Sequence, residues 1–283
     1  MTDMKTEGKT GSVPVFVERF NKHQKYQHLL MMISVGMLMF TGFAIKYGHS
    51  AYAVFVVGLF GGFRNLFNVH LTMAVLMIIA GAYHVLYLLF GWKYRGLSLA
   101  MVPNLKDLKD ALQHARYLLG LSRERPRYDR YSYLEKFEYF AVFWGIPVIG
   151  ISGATLWFPD IAARYMPLWV IDMMRIIHSN EALVCLFAIA LGHVFWVHLN
   201  PGVFPTSPVW INGKISLAHM AEEHPEEYER LVKEYAAKGI KIGEPQHGLG
   251  RFTHSRPLMI TELIAYLLIF GWLFWVFIPK LFA

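Results

Sequence analysis

A chain of 283 residues that is 55% hydrophobic and only 17% charged does not read as a soluble protein, because its apolar residues gather in blocks of about 20, the length that crosses a bilayer. Its formal charge of +7 does not point to nucleic acid: the Lys and Arg residues are segregated between alternate loops instead of forming one basic patch. The single cysteine, Cys185, excludes an intramolecular disulfide, an iron–sulfur cluster and a Cys-x-x-Cys-His haem attachment, which leaves thirteen histidines as the reserve of cofactor ligands.

In chain order, residues 1–18 are polar and aperiodic and are expected to be disordered. The first 25 residues hold no short apolar core followed by a small-residue cleavage site. The first span is therefore expected to act as its own insertion signal. That span is Tyr26–Tyr47. Ala51–Phe63 is too short and too rich in Gly to cross and is expected to be interfacial or re-entrant. Val69–Phe90 is the second span. In the following connection, residues 103–121 place Leu105, Leu108, Leu112, Ala115 and Leu119 at spacings of three and four, with Lys106, Lys109 and Arg116 on other faces. This is an amphipathic helix for the membrane surface or the protein's own flank. Phe137–Phe158 and Ala182–Leu199 are the third and fourth spans. Residues 201–258 form the longest extramembrane piece: a Pro-rich start, then a helical stretch over 216–239 interrupted near Pro225 and stopped at Gly239. Met259–Phe282 closes the chain as a fifth span.

Five Lys and Arg precede the first span, ten lie between Lys93 and Lys136, and seven lie between Lys214 and Arg256. By the positive-inside rule these loops are cytoplasmic, the N-terminus is cytoplasmic and the C-terminus is outside. The expected fold is an all-α integral membrane protein with five transmembrane helices, in which the second and fourth run in the same direction.

Histidines inside the spans carry the chemistry. His70 and His84 on the second helix are 14 residues apart, and His178 and His193 on the fourth are 15 apart. At ~1.5 Å per residue each pair spans roughly 21–23 Å, and at ~100° per residue both members face nearly the same way. His70 and His178 then lie at the outer level, His84 and His193 at the inner one. Two tiers of imidazoles on facing helices suit two haem b groups held by histidine axial ligands in a four-helix core, residues 19–200. His28, at the inner start of the first helix, competes with His84 for the place opposite His193; if both are used, a third haem follows. His198, five residues past His193, lies roughly 140° around a regular helix and is expected to face elsewhere. His23, His49, His114, His219, His224, His247 and His254 read as loop or surface residues. Gly36, Gly42, Gly145, Gly150 and Gly153 leave room for a flat macrocycle or for close helix approach. Arg64 and Arg175 flank the outer histidines and suit haem propionates or interface anchoring. Glu181 shares nearly the face of His178 and reads as tuning the outer site, carrying protons or sitting at the interface.

The stretch RFNKHQKYQH (19–28) with the following helix ending TGF, the stretch RYSYLEKFEYFAVFWGIPVIGISGATLWFP (130–159), and HSNEALVCLFAIALGH (178–193) together resemble the membrane cytochrome b (gamma-type) subunits of the formate dehydrogenase and thiosulfate reductase family. EEHPEEYERL (222–231) is similar to one branch of that group, and the likeness covers roughly residues 19–235. The resemblance implies a two-haem cytochrome of the bacterial inner membrane. It implies ligands at His28, His70, His178 and His193, and a menaquinone or ubiquinone site near the inner haem. It also implies a periplasmic iron–sulfur or multihaem cytochrome c partner. His84 departs from the simplest members. Asn21, His23, Gln24, Glu135 and Glu138, at the inner ends of the first and third helices, are the candidates for proton-coupled contact with the quinone. A different class, a proton or metal-ion transporter using intramembrane histidines, would call for midplane polar residues and broken helices, which 181–193 does not offer. A membrane anchor without cofactors would have no use for the paired histidines.

Overall fold

The computed structural model describes residues 16–200, 203, 207, 209–239 and 256–281. Strand β1 (Phe16–Glu18) leads into helices α1 (Lys22–Lys46), α2 (Ala51–Leu59), α3 (Phe63–Arg95), α4 (Leu105–Leu118), α5 (Tyr133–Trp157), α6 (Pro159–Tyr165) and α7 (Leu168–Phe187). Helix α7 continues through two π-helical segments, Ala188–His193 and Phe195–Leu199. Then come α8 (Val209–Asn212), β2 (Lys214–Ser216), α9 (Leu217–Glu223), α10 (Pro225–Ala237) and α11 (Arg256–Leu281). The chain divides into an apolar unit, Tyr26–Phe90 with Ala141–Thr206 and His254–Ala283, and a polar unit, Met1–Lys25 with Gly91–Phe140 and Ser207–Thr253.

Four helical stretches among the described residues are long and apolar enough to cross a membrane: Lys22–Lys46, Phe63–Tyr94, Tyr133–Trp157 and Leu168–Leu199. Their outer faces leave large apolar side chains exposed, among them Phe90, Trp144, Ile151 and Leu191. Apolar surface on that scale, on helices of bilayer-crossing length, suits a lipid environment. The protein is a multi-pass membrane protein. The fourth stretch begins at Leu168, well before the expected Ala182, so His178 lies inside a helix. At the expected fifth span, α11 is a 26-residue helix whose described apolar stretch is the shorter Ile264–Val276.

In the apolar unit, α2 packs one side, Tyr52, Ala53 and Val56, into a buried cluster with Phe43 and Ala44 of α1, Leu66 of α3, Leu186 of α7 and Val276 of α11. Val54, Phe55 and Leu59 stay exposed on its other side. Gly61 and Gly62, at φ +70° and +124°, reverse the chain into α3, a conformation that L side chains rarely adopt. At nine residues α2 is too short to cross a bilayer, as expected for 51–63.

The polar unit departs from the all-α expectation by one small ribbon: β1 pairs antiparallel with β2, Val17 opposite Ile215. The ribbon covers Val209, Ile215 and Met220, against which Val17, Phe20, Tyr228 and Leu231 pack. Helix α4 starts at a capping box of Asn104 and Asp107. Asp107 also holds the buried Lys136 ammonium at 2.8 Å. The apolar stripe of α4, Leu105, Leu108 and Leu112, is exposed. Pro225 starts α10 and Gly239 follows its end at φ +75°, as expected. Residues 1–15 of the expected disordered segment, and 240–255 with His247 and His254, lie outside the described residues.

Candidate functional site

His70 of α3 and His178 of α7 lie within electrostatic reach of each other and form the first tier of the apolar unit. Each ring is held by its Nδ1. Thr41 of α1 donates its hydroxyl proton to the Met37 carbonyl at 2.7 Å, so its oxygen accepts from His70 Nδ1, 2.8 Å away. His178 Nδ1 donates to the Ile149 carbonyl at 3.1 Å and lies 3.2 Å from Ser152 Oγ. The Ser152 hydroxyl in turn donates to the Val148 carbonyl at 2.7 Å. Both imidazoles are thereby fixed as the Nδ1–H tautomer, which makes Nε2 the basic nitrogen.

Two glycines seat these rings. A Cβ on Gly42 would lie 3.2 Å from His70 Cε1, and one on Gly153 would lie 3.0 Å from His178 Cε1. Gly145 does the same for Glu181: a Cβ there would come 3.2 Å from Oε1. Glu181 is therefore directed at α5. The expected alternatives for the glycines thus divide by position. Gly42, Gly145 and Gly153 admit side chains of a neighbouring helix, whereas a Cβ on Gly36 or Gly150 would meet nothing within 4 Å.

The second tier centres on His28 of α1 and His193 of the first π segment, whose ring centroids are 6.2 Å apart with planes tilted by 46°. His198, in the second π segment, makes a ring contact with Tyr266 of α11 at 5.6 Å and lies within electrostatic reach of His193 and His28. The winding of 188–199 has no signature in residue type, and spacing arithmetic for an α-helix fails across it.

His84 of α3 points its Nδ1 at Gln27 Oε1, 2.8 Å away on α1. Gln27 was not among the expected site residues. It is 7% exposed, and its Nε2 is buried with no hydrogen-bond partner among the described residues. A glutamine one residue before a candidate ligand, placed by an imidazole 57 positions away, is visible only in three dimensions.

Other expected site residues have different surroundings. Arg64 is exposed at the start of α3, and Arg175 pairs with Asp172 on its own helix at 3.3 Å. Asn21 and Gln24 bond reciprocally, backbone N–H to side chain, at 3.0 and 3.1 Å and cap α1. Glu135 accepts from the Ser132 backbone N–H at 2.7 Å, caps α5, and pairs with Arg19 at 3.5 Å. His23 is exposed and Glu138 half-buried.

The polar unit corrects a further expectation: His219 and His224 are buried, not surface residues. Glu227 bridges the buried Arg19 (2.5 Å) and Arg130 (2.6 Å). His224 donates from Nδ1 to the Asp129 carbonyl at 2.8 Å, and its Nε2 accepts from Arg19 at 3.2 Å. Burial first, and the Arg19 guanidinium second, push the His224 pKa below its ordinary 6.5.

A fit to haem can be judged from these donors. Neutral imidazoles with Nδ1 pinned by helix-borne acceptors present Nε2 as a metal ligand does, and the acceptors are the supporting shell such ligands use. Gly42 and Gly153 give the rings space that a methyl would fill. The residues present fit the group.

Comparison with known proteins gives the same direction. The model of a family described as prokaryotic cytochrome b561 matches residues 19–203. The cytochrome b556(Fdn) subunit of nitrate-inducible formate dehydrogenase from Escherichia coli K12 is 24% identical over 142 residues, 50% of this chain and 63% of that protein. Its counterparts in Escherichia coli O157:H7 and Shigella flexneri match to the same extent. The chain thus spans less than two thirds of the length of these curated relatives.

Proposed function

The chain belongs to the prokaryotic cytochrome b561 family and is a membrane cytochrome b of the electron-transfer kind; from that premise we propose that it is the di-haem subunit of a quinone-linked oxidoreductase complex. The observation that carries the reading is the first tier: two imidazoles on different helices, within electrostatic reach of each other and each pinned at Nδ1 by an oxygen of another helix. His70 and His178 would hold one haem b, and His28 and His193 the other. His84 is the rival of His28 at the second tier. Haem supplies reversible one-electron chemistry at its iron when bound.

The chain's own residues do the rest. Thr41 and the Ile149 carbonyl keep the first-tier nitrogens pointed and basic. Apolar side chains from Ala182 to Leu191, interrupted by no charge, separate the tiers and exclude water. Arg64 and Arg175 stand at the outer end, where carboxylates of the cofactor would find a cation.

In this reading the protein sits in the bacterial inner membrane with a cytoplasmic N-terminus, and α11 makes a fifth crossing to a periplasmic C-terminus. The first tier exchanges electrons with a periplasmic iron–sulfur or multihaem cytochrome c subunit. The second exchanges them with menaquinone or ubiquinone. Support for a partner complex comes from the relatives, which are cytochrome subunits of formate dehydrogenase. Asn21, His23, Gln24, Glu135 and Glu138 remain candidates for the cytoplasmic proton route.

A metal-ion transporter would need side chains converging on one ion. Among the described residues no three of His, Cys, Asp or Glu do so. The test is a reduced-minus-oxidised spectrum of the purified chain. A sharp b-type haem signal supports the cytochrome, and a colourless protein overturns it.

A further inference from the structure

The Gln27 amide is used at only one of its two ends. Oε1 lies 2.8 Å from His84 Nδ1, while Nε2 is buried with no partner among the described residues, in a side chain that is 7% exposed. A buried amide N–H without an acceptor loses more than an ordinary hydrogen bond contributes, and inside a membrane protein bulk water is not at hand to repair the loss. Rotating the amide by half a turn does not help. His84 would then take the NH2 group and the oxygen would be left over instead. As the amide is set, Oε1 faces His84 Nδ1 and accepts from it, so the end left over is the donor Nε2.

A donor so placed calls for an acceptor oxygen. Gln27 sits one residue before His28 on α1, and its amide plane is set by His84 from α3, so the N–H direction is fixed by two helices instead of by one flexible side chain. An orphan donor selects against cations and against purely apolar ligands. It suits a carbonyl or carboxylate oxygen.

We propose that Gln27 Nε2 anchors an acceptor oxygen of a redox ligand bound at the second tier, between α1 and α3, with His84 as the residue that orients the amide. The proposal rests on the cytochrome reading above. The acceptor oxygen belongs either to the head group of a quinone or to a haem carboxylate. The hydrogen-bond chemistry is the same, and the experiment separates the two sources.

The test uses the full chain purified with its haem, as wild type, as Gln27→Met, which has no donor, and as Gln27→Asn, which keeps the amide but withdraws it by one methylene. Three quantities are read: haem per chain, haem midpoint potentials by redox titration, and equilibrium binding of a short-chain naphthoquinone. If the oxygen is the quinone's, both variants raise the naphthoquinone Kd by about tenfold with haem content and potentials unchanged. If it is a haem carboxylate, quinone affinity stays while one haem moves to lower potential, because a carboxylate that has lost its donor favours the oxidised iron. Should Gln27→Met fail to fold, Gln27→Asn carries the same readouts. Full haem with unchanged Kd and unchanged potentials overturns the proposal. A wild-type chain without haem instead overturns the cytochrome reading on which it rests.

Discussion

The two tiers use the same side chain but hold it differently. At the first, His70 and His178 come from regular α-helix, sit against Gly42 and Gly153, and are pinned by Thr41 and by Ile149 and Ser152. At the second, His193 is carried by a π segment, His198 lies within electrostatic reach of it, and His84 is tied to Gln27, whose other end has no partner among the described residues. The first tier is assembled by the protein alone. The second brings more histidines together than one haem uses and leaves a donor over, the pattern expected where a cofactor and an exchangeable ligand meet. The difference teaches that π-winding, which is rare and concentrated at functional positions, re-aims the residues after it without changing any of them.

That contrast can be broken most sharply at His28 and His84. His28→Ala is expected to remove one whole haem per chain, and His84→Ala to leave the haem count intact; pyridine haemochrome quantification decides. The reverse outcome moves the second-tier ligand to α3. At the first tier, Gly153→Ala forces a methyl to within 3.0 Å of the His178 ring. Overpacking of this kind costs about 1–3 kcal/mol. The expected outcome is a lower thermal midpoint and partial loss of the His70–His178 haem, with the second-tier spectrum unchanged. Thr41→Val keeps the shape and removes the acceptor for His70 Nδ1. Losing such a supporting contact typically lowers metal affinity by about 10–100-fold. Haem transfer to an apo-globin acceptor would show faster release from the first tier only.

The smallest effect lies in the polar unit and serves as the control. His224 is held neutral, so the unfolded chain takes up its proton first, near the ordinary pKa of 6.5. The sign follows: stability is held above about pH 6.5 and falls as the pH drops from there towards the lowered native value. Limited trypsin digestion at about pH 7.5 and about pH 5.5 should show 91–140 and 207–239 becoming more susceptible at the lower pH, a change that His224→Gln suppresses. The first-tier haem spectrum should not follow it.

Four of the five expected spans were legible because lipid demands long apolar runs, and α4 because Leu105, Leu108 and Leu112 repeat at helical spacing. The β1–β2 ribbon was not, since three residues such as Phe16–Glu18 are too few to show an alternating pattern. Spacing singles out His70, His84, His178 and His193, and position at a helix start singles out His28, but the burial of His224 has no such signal, since it depends on Arg19 arriving from 205 positions away. The π-winding of 188–199, which carries His193 and His198, has no signature in residue type, so α-helical spacing does not fix how these two rings are aimed. Gln27 carried no sequence signal, because an amide at a helix entrance is ordinary until its partner is seen.

The central claim is best tested by counting haem in His178→Ala and His193→Ala chains purified beside the wild type. Two b haems per chain in the wild type, one in each variant, and complementary spectra whose sum reproduces the wild-type signal are the predicted result. Variants that both keep the full haem content, or both bands lost together in either one, would contradict a separate haem at each tier.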